Sequence, residues 1–395
     1  MKTVVVAGAV ANKVGNAGEA WVRMTWAAGL RALGLDVFFL EQIDPAVCTD
    51  EGGVACVPDE SANRRHFETV TGEFGFESRS ALVTPAGERV CGLHPEEVAD
   101  LARDADLLVN MSGHLTLERF LTRVRRRAYI DLDPGFTHFW HEAGDGAGLE
   151  GHNAFFTVGA NIGTAGCSIP NAGIDWRPIR PPVLLDRWHP TTPGGGGTTP
   201  APMASPRFTT IANWRGAFGP IQRAGRRYGV KAHRFRQFLE LPRRSSGRFE
   251  IALHIDPDDS ADLSSLLSNG WHVVDPGQTV PDPGAYRAYI RSSDAEFSAA
   301  QEIYVETRSG WFSDRSALYL ACGKPVLVED TGVAGDLASG VGLVTFGTLA
   351  EAADGAARIG RDYAEHAEAA RSLAERHLDS RLVLGGFLEQ VECAA

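Results

Sequence analysis

The opening forty residues constrain the fold more than any other stretch. Thr3 to Ala9 is a β-branched, apolar run without alternation, the pattern of a strand buried on both faces. A glycine-containing loop, Val10 to Gly18, follows. Glu19 to Leu33 then carries Trp21, Met24 and Ala28 on one helical stripe, with Val22, Trp26, Leu30 and Leu33 beside it, and Gly34 stops the helix. Val37 to Leu40 is a second apolar strand. A strand–helix–strand unit of this kind needs a parallel sheet covered by helices.

The pattern resumes after a looser stretch, 45–92. Helices are predicted at Pro95–Arg103 and Leu115–Arg126, and strands at Asp106–Asn110, Arg127–Asp131 and Phe155–Val158. Residues 189–206, HPTTPGGGGTTPAPMASP, are low-complexity and predict a flexible loop. A second series begins at once, with strands at Phe208–Ala212, Phe249–Leu253, Trp271–Val274, Glu302–Glu306, Pro325–Glu329 and Val341–Phe346. Helices alternate with them, and three more close the chain: Leu349–Asp354, Gly360–Arg376 and Asp379–Val391. The reading is α/β, with two Rossmann-like doubly wound parallel-sheet domains facing a cleft. Residues 1–206 form the first domain and 207–375 the second; residues 376–395 form a C-terminal helix packing back toward the first. A length of 395 residues suits two such cores. Ligands of such sheets bind at the carboxyl ends of the strands.

Composition narrows the function. A formal net charge of −12 argues against a general nucleic-acid binder, which needs a basic footprint. The six cysteines are dispersed, with no C-x-x-C pair, which predicts reduced thiols and a cytoplasmic protein. Val4 to Val10 is too short to span a membrane and lacks a cleavage site after it.

The strongest constellation is Arg308 to Gly332, RSGWFSDRSALYLACGKPVLVEDTG. Ser309 and Gly310 make a tight turn, Ser313 is an N-cap, and Asp314, Arg315 and Ser316 form the first helical turn. Free backbone N–H groups and the helix dipole there suit a phosphate, and Arg315 can add a charge-assisted bond. The same residues also suit an ordinary capped helix.

The stretch Leu320-Ala321-Cys322-Gly323-Lys324-Pro325-Val326-Leu327-Val328, with Asp330-Thr331-Gly332 after it, resembles the donor-site signature of two-Rossmann-domain (GT-B type) glycosyltransferases, most closely the large retaining group. The likeness covers roughly residues 207–391; the first half matches only in pattern. It implies a metal-independent, hexosyltransferase-like enzyme moving sugar from a nucleotide-sugar donor, UDP- or dTDP-type, to a small-molecule acceptor such as a secondary metabolite, with no separate cofactor. It implies Arg215 and Lys231 as diphosphate contacts, and the end of the first loop, Gly15 and Asn16 onward, as an approach to the donor. It also implies a His or Asp at a strand end facing the reacting carbon. Asp133 matches best, with His114 and His138 behind it. Trp214 beside Arg215 can hold the guanidinium flat. Two glutamates, eight residues apart in that group, correspond here to Gly310 and Leu318, with Asp314 and Arg315 nearby as partial substitutes.

Asp131-Leu132-Asp133 spells D-x-D, a pattern that metal-dependent transferases use; it falls in the half assigned to the acceptor, so no metal is expected. The turn-rich segments Thr157–Gly163 and Pro170–Trp176 are placed at the cleft, and Trp140, Trp176 and Trp188 as acceptor walls or core anchors. One rival is a nicotinamide-dependent oxidoreductase, since Glu41 after the second strand is suggestive, but Gly8, Gly15 and Gly18 do not form G-x-G-x-x-G. The other is a two-domain binding protein, including a GT-B-like chain with reduced catalysis.

Overall fold

A computed structural model describes residues 1–190, 202–223, 225–333, 337 and 340–393. The chain divides into two compact units. The first is Met1–Val158 with Pro170–Pro182 and Ser380–Ala395, the second Gly159–Ile169 with Val183–Asp379.

The first unit is built on an eight-stranded sheet. Its strands are β1 (Thr3–Ala7), β2 (Asp36–Gln42), β3 (Ser80–Val83), β4 (Arg89–Gly92), β5 (Leu107–Met111), β6 (Arg126–Asp131), β7 (Ala154–Thr157) and β8 (Trp176–Pro178). The order is β4-β3-β2-β1-β5-β6-β7-β8, and every neighbour is parallel except β3 with β4. Val4, Val5 and Val6 are wholly buried, as a central parallel strand requires. The helix Ala17–Ala32 is capped by Asn16, whose side chain accepts the Glu19 N–H at 3.3 Å. The C-terminal helix Ser380–Cys393 belongs to this unit and packs on Ala17–Ala32. Trp26 meets Phe387 edge-on at 5.1 Å. A Cβ at Gly29 would lie 2.5 Å from Leu384 Cδ1, so a larger residue there would require the leucine side chain to move.

The stretch 45–92 is more ordered than its sequence suggests. It holds β3, β4 and the helix Ala62–Glu73, whose buried face is only Asn63, Phe67, Val70 and Thr71. A face half polar leaves little periodic signal.

The second unit carries β9 (Arg207–Asn213), the antiparallel pair β10 (Ile221–Arg223) and β11 (Arg226–Tyr228), then β12 (Arg248–His254), β13 (His272–Val274), β14 (Ala295–Ser298), β15 (Val326–Glu329) and β16 (Leu343–Phe346). The six-stranded sheet is all parallel in the order β13-β12-β9-β14-β15-β16. Phe208, Phe235, Phe238, Phe249, Trp271, Phe297 and Phe346 fill its core. In both sheets the strand order reverses at the first strand, between β1 and β5 and between β9 and β14. Such a switch point opens a crevice at the carboxyl ends.

Two expectations are corrected. Glu302–Glu306 is a helix, and the strand of that region is β14. The compact units also do not divide at 206. Gly159 pairs with Trp311 and Val183 with Asp379. Trp188 is wholly buried and its carbonyl accepts Arg371 Nη1 at 2.8 Å. These contacts tie residues 159–169 and 183–190 to the second unit. Of the predicted flexible loop 189–206, residues 191–201 lie outside the described residues.

Candidate functional site

The switch point of the second unit gathers most of the predicted donor residues. The loop Arg308–Ser313 leads to the helix Asp314–Ala321. Arg308 and Gly310 both take left-handed backbone, φ 50° and 73°. Ser313 holds the N-cap position with extended backbone, but its hydroxyl makes no capping bond. A small pocket, partly open to solvent, lies at this terminus between Ser298, Ala300, Trp311, Phe312, Ser313, Ser316, Val328 and Glu329. Ser316 is wholly buried and its Oγ has no partner, an unused hydroxyl against the pocket. Ser309 does not reach out: its Oγ bonds the Tyr304 carbonyl and accepts the Trp311 N–H, stabilising the turn.

Charges of both signs sit at the strand ends. Glu329, the last residue of β15, is wholly buried and accepts Arg234 Nε at 2.8 Å and the Ala300 N–H at 2.9 Å. Burial pushes its carboxyl above the usual range, against the pull of Arg234. Lys231 opens the short helix Lys231–Phe235 and is half-buried. Among the described residues its ammonium has no hydrogen-bond or ion-pair partner. Desolvation, then the nearby Arg315, pushes its pKa down to about 7, while Glu296 and Glu329 oppose the shift.

Arg315 is placed differently from the expectation. It turns inward beneath the helix, where Nε donates to Glu296 at 2.7 Å, Nη1 to the Ile211 carbonyl at 2.8 Å and Nη2 to Ser298 Oγ at 2.8 Å. Glu296 is itself wholly buried in β14, so the pair ties β9, β14 and the helix together. Arg215 is also redirected: it is half-exposed and pairs with Asp259 at 2.8 Å. Trp214 does not lie under it. The indole is buried against Phe235 and donates to Asp262 at 2.8 Å.

In the first unit the D-x-D divides into two roles. Asp131 is wholly buried and accepts Thr137 Oγ1 at 2.7 Å, Thr157 Oγ1 at 2.6 Å and the Asp133 N–H at 3.1 Å. It is consumed in holding β6, β7 and the next helix. Asp133 is half-exposed at the strand end, and its carbonyl accepts the Thr137 N–H at 3.3 Å. His138 is a core residue: Nδ1 accepts the Gly135 N–H at 3.3 Å, and the ring packs on Trp176 at 4.5 Å between centroids. Desolvation holds it below the ordinary histidine range. His114 follows β5. Burial, then Arg23 and Lys13, push it down to about 4, so it is a neutral imidazole at neutral pH. Of the tryptophans, Trp176 and Trp188 are core; Trp140 is half-buried against Phe136.

Gly15 and Asn16 are exposed after β1. The preceding turn is held by Glu41, which accepts the N–H groups of Val10 (2.8 Å), Ala11 (2.7 Å) and Asn12 (2.9 Å) and the Asn12 side chain (2.9 Å). With both carboxylate oxygens spent on its own loop, Glu41 is not placed to read a ribose. The hint was visible as an acidic residue ending an apolar strand, but not its target. Arg234, Glu296 and Glu329 were not singled out as site residues, because each finds its partner far along the chain. Among the described residues, no group of three or more His, Cys, Asp or Glu is placed to hold a metal ion, and no helix is long and apolar enough to cross a membrane.

No protein-family model and no curated protein sequence matches the chain. Solved structures do. HepE of Anabaena, in complex with UDP-glucose, is similar over 100% of both chains with TM-score 0.61 and 14% identity. Sucrose-phosphate synthase from Thermosynechococcus elongatus is similar over 100% of both, with TM-score 0.53 and 11% identity. An alpha-glucosyltransferase in complex with UDP-glucose and DNA containing an abasic site is similar over 99% of this chain and 98% of its own, with TM-score 0.59 and 10% identity. At these identities the likeness is one of fold: two Rossmann-like domains of the GT-B type.

Proposed function

We propose that this protein is a GT-B glycosyltransferase that takes sugar from a nucleoside diphosphate sugar, UDP- or dTDP-linked, and passes it to a small-molecule acceptor. The observation that carries the reading is Lys231: a half-buried lysine that, among the described residues, has no hydrogen-bond or ion-pair partner, and that lies within the electrostatic reach of Arg315, Glu296 and the pocket-lining Glu329. A desolvated cation gains most from a dianionic ligand. The pocket itself holds the uncapped helix terminus at Ser313 and the Ser316 hydroxyl, which has no partner among the described residues, and such donors suit a diphosphate. The fold shared with HepE and the alpha-glucosyltransferase, both of which hold UDP-glucose, supports the same assignment.

On this reading Lys231 and the helix terminus stabilise charge as it develops on the departing nucleoside diphosphate, so no metal ion is required. Asp133 serves the acceptor side. Its half-exposed carboxylate, set by the turn after β6, can orient the acceptor hydroxyl or accept its proton. His114, held neutral, is the alternative base.

A thermal-shift panel of UDP, dTDP, GDP and ADP tests the reading. One of them, at 100 times its dissociation constant, should stabilise the protein by about 2.7 kcal/mol. Lys231→Ala should weaken that ligand at least about tenfold, close to 1.4 kcal/mol. A wild-type protein indifferent to all four would overturn the proposal.

A further inference from the structure

We infer that Asn161 is a positioning residue for the donor pocket: one amide that clips together two chain segments that both adjoin its lining. The inference rests on the donor assignment above, since that gives the pocket its ligand.

Asn161 is 147 and 171 residues from its two acceptors in sequence, yet belongs to the same compact unit. The segment it occupies runs as a strap along the pocket loop. Gly159 bridges Trp311, the Asn161 N–H donates to the Ser309 carbonyl at 3.0 Å, and the Ser168 N–H donates to the Thr307 carbonyl at 3.1 Å. The side chain does something the strap alone does not. Its Nδ2 donates to the Arg308 carbonyl and to the Gly332 carbonyl, each at 2.9 Å. Arg308 begins the loop carrying Trp311, Phe312 and Ser313. Gly332 lies three residues after Glu329, the end of β15. Trp311, Phe312 and Ser313 from the one segment and Val328 and Glu329 from the other are among the residues that line the pocket.

The surroundings are shaped to this amide. A Cβ at Gly310 would fall 2.8 Å from Asn161 Cγ, and one at Gly332 would fall 2.8 Å from its Nδ2. Both glycines have positive φ, 73° and 85°, so backbone turn and side-chain room are met together. Arg308, a non-glycine residue at φ 50°, is held in a sparsely populated conformation whose carbonyl points at the amide. Two carbonyl acceptors also fix which end of the side chain faces them: only an –NH2 group can donate to both. Asn161→Asp keeps the shape and reverses the interaction, setting a carboxylate against two carbonyl oxygens. Asn161→Ala removes both bonds and adds no repulsion.

The test measures UDP and dTDP binding by calorimetry well below the melting temperature, beside native-state amide exchange, for the wild type and both variants. The dissociation constant should rise about threefold or more in Asn161→Ala and at least tenfold in Asn161→Asp. Exchange should quicken at the Gly310 amide, which donates to the Thr331 carbonyl, and not in β12 or β13. Should Asn161→Asp fail to fold, Asn161→Ala carries the same comparison. A role in stability alone would lower the melting temperature and leave the dissociation constant of the folded protein unmoved; that result overturns the inference. A wild type that binds neither nucleotide overturns the donor assignment, and with it this role for Asn161, whatever the exchange pattern.

Discussion

Arg315 and Lys231 lie at the same switch point and carry the same charge, but the structure gives them opposite work. Arg315 has a neighbour for each of its three nitrogens, and its removal would leave the buried Glu296 side chain without its guanidinium partner. Breaking one side of such a pair costs about 3–5 kcal/mol. Arg315→Ala should therefore lower the melting temperature of the unliganded protein clearly, and Arg315→Lys should not restore it, since one ammonium cannot span three acceptors. An unchanged melting temperature would mean that the pair is dispensable. Among the described residues Lys231 has no hydrogen-bond or ion-pair partner to lose. With its pKa pushed down to about 7 in the free protein, it is mostly neutral at pH 8, and a bound diphosphate raises its pKa again. Nucleotide binding at pH 8 should then take up about one proton, because the nucleotide's own phosphate is already ionised there. The uptake should vanish in Lys231→Met and fade in the wild type below pH 6. Calorimetry in two buffers of different ionisation enthalpy reads this directly, and equal heats in both would remove Lys231 from the phosphate site. Sequence proposed both residues, but it could not separate them. The partners that decide the matter, Glu296 and Ile211 for one and none for the other, are set by which strands become neighbours.

At the scale of elements, the loop after β1 is the clearest case of structure maintained by one side chain. Glu41 takes up three backbone N–H groups and the Asn12 amide, and burial pushes its carboxyl up to about 7 against those four bonds. Glu41→Ala would strand buried donors at roughly 1–3 kcal/mol each, so a loss of about 3 kcal/mol or more is expected in urea unfolding. Amide exchange should rise first at Val10 to Asn12, and a loss under about 1 kcal/mol would show that water replaces the carboxylate freely. The strand, helix and strand around this loop were legible because their periodicity is local: Val4 to Val6 are continuous and apolar, and Trp21, Met24 and Ala28 recur on one face. β14 was not. Its centre is Glu296, a charge that reads as surface and is buried only because Arg315 arrives from a later helix. The β-branched Glu302–Glu306 segment took its place in the reading, although tertiary context makes it a helix. Asn161 was visible only as part of a turn-rich segment, since its two acceptors lie in loops nearly half the chain away.

Over the whole molecule, the two units divide the work in the proposed reaction, and Asp133 is where that division can be measured. The groups proposed to bind the nucleotide, Lys231, Ser316 and the terminus at Ser313, all belong to the second unit, while Asp133 belongs to the first. Asp131 is spent on Thr137 and Thr157, so the two carboxylates of the D-x-D do different work. Asp133 should thus act on the acceptor or on charge developing at the transferred sugar, and affect the transition state more than donor binding. Asp133→Asn keeps the size of the side chain and the turn after β6 while removing the charge. Turnover should fall at least about tenfold, equivalent to about 1.4 kcal/mol of barrier, with the nucleotide dissociation constant within about twofold of wild type. EDTA should leave the wild-type rate unchanged. Asp131→Asn should instead lower the melting temperature, because a buried acceptor of three bonds is altered. Normal turnover in Asp133→Asn would reduce Asp133 to a turn residue and pass the role to His114, whose neutral imidazole also stands at a strand end of the first unit. A variant that loses nucleotide affinity instead, together with activity abolished by EDTA and restored by Mn²⁺, would make Asp133 part of metal-dependent nucleotide binding and overturn the division of labour itself.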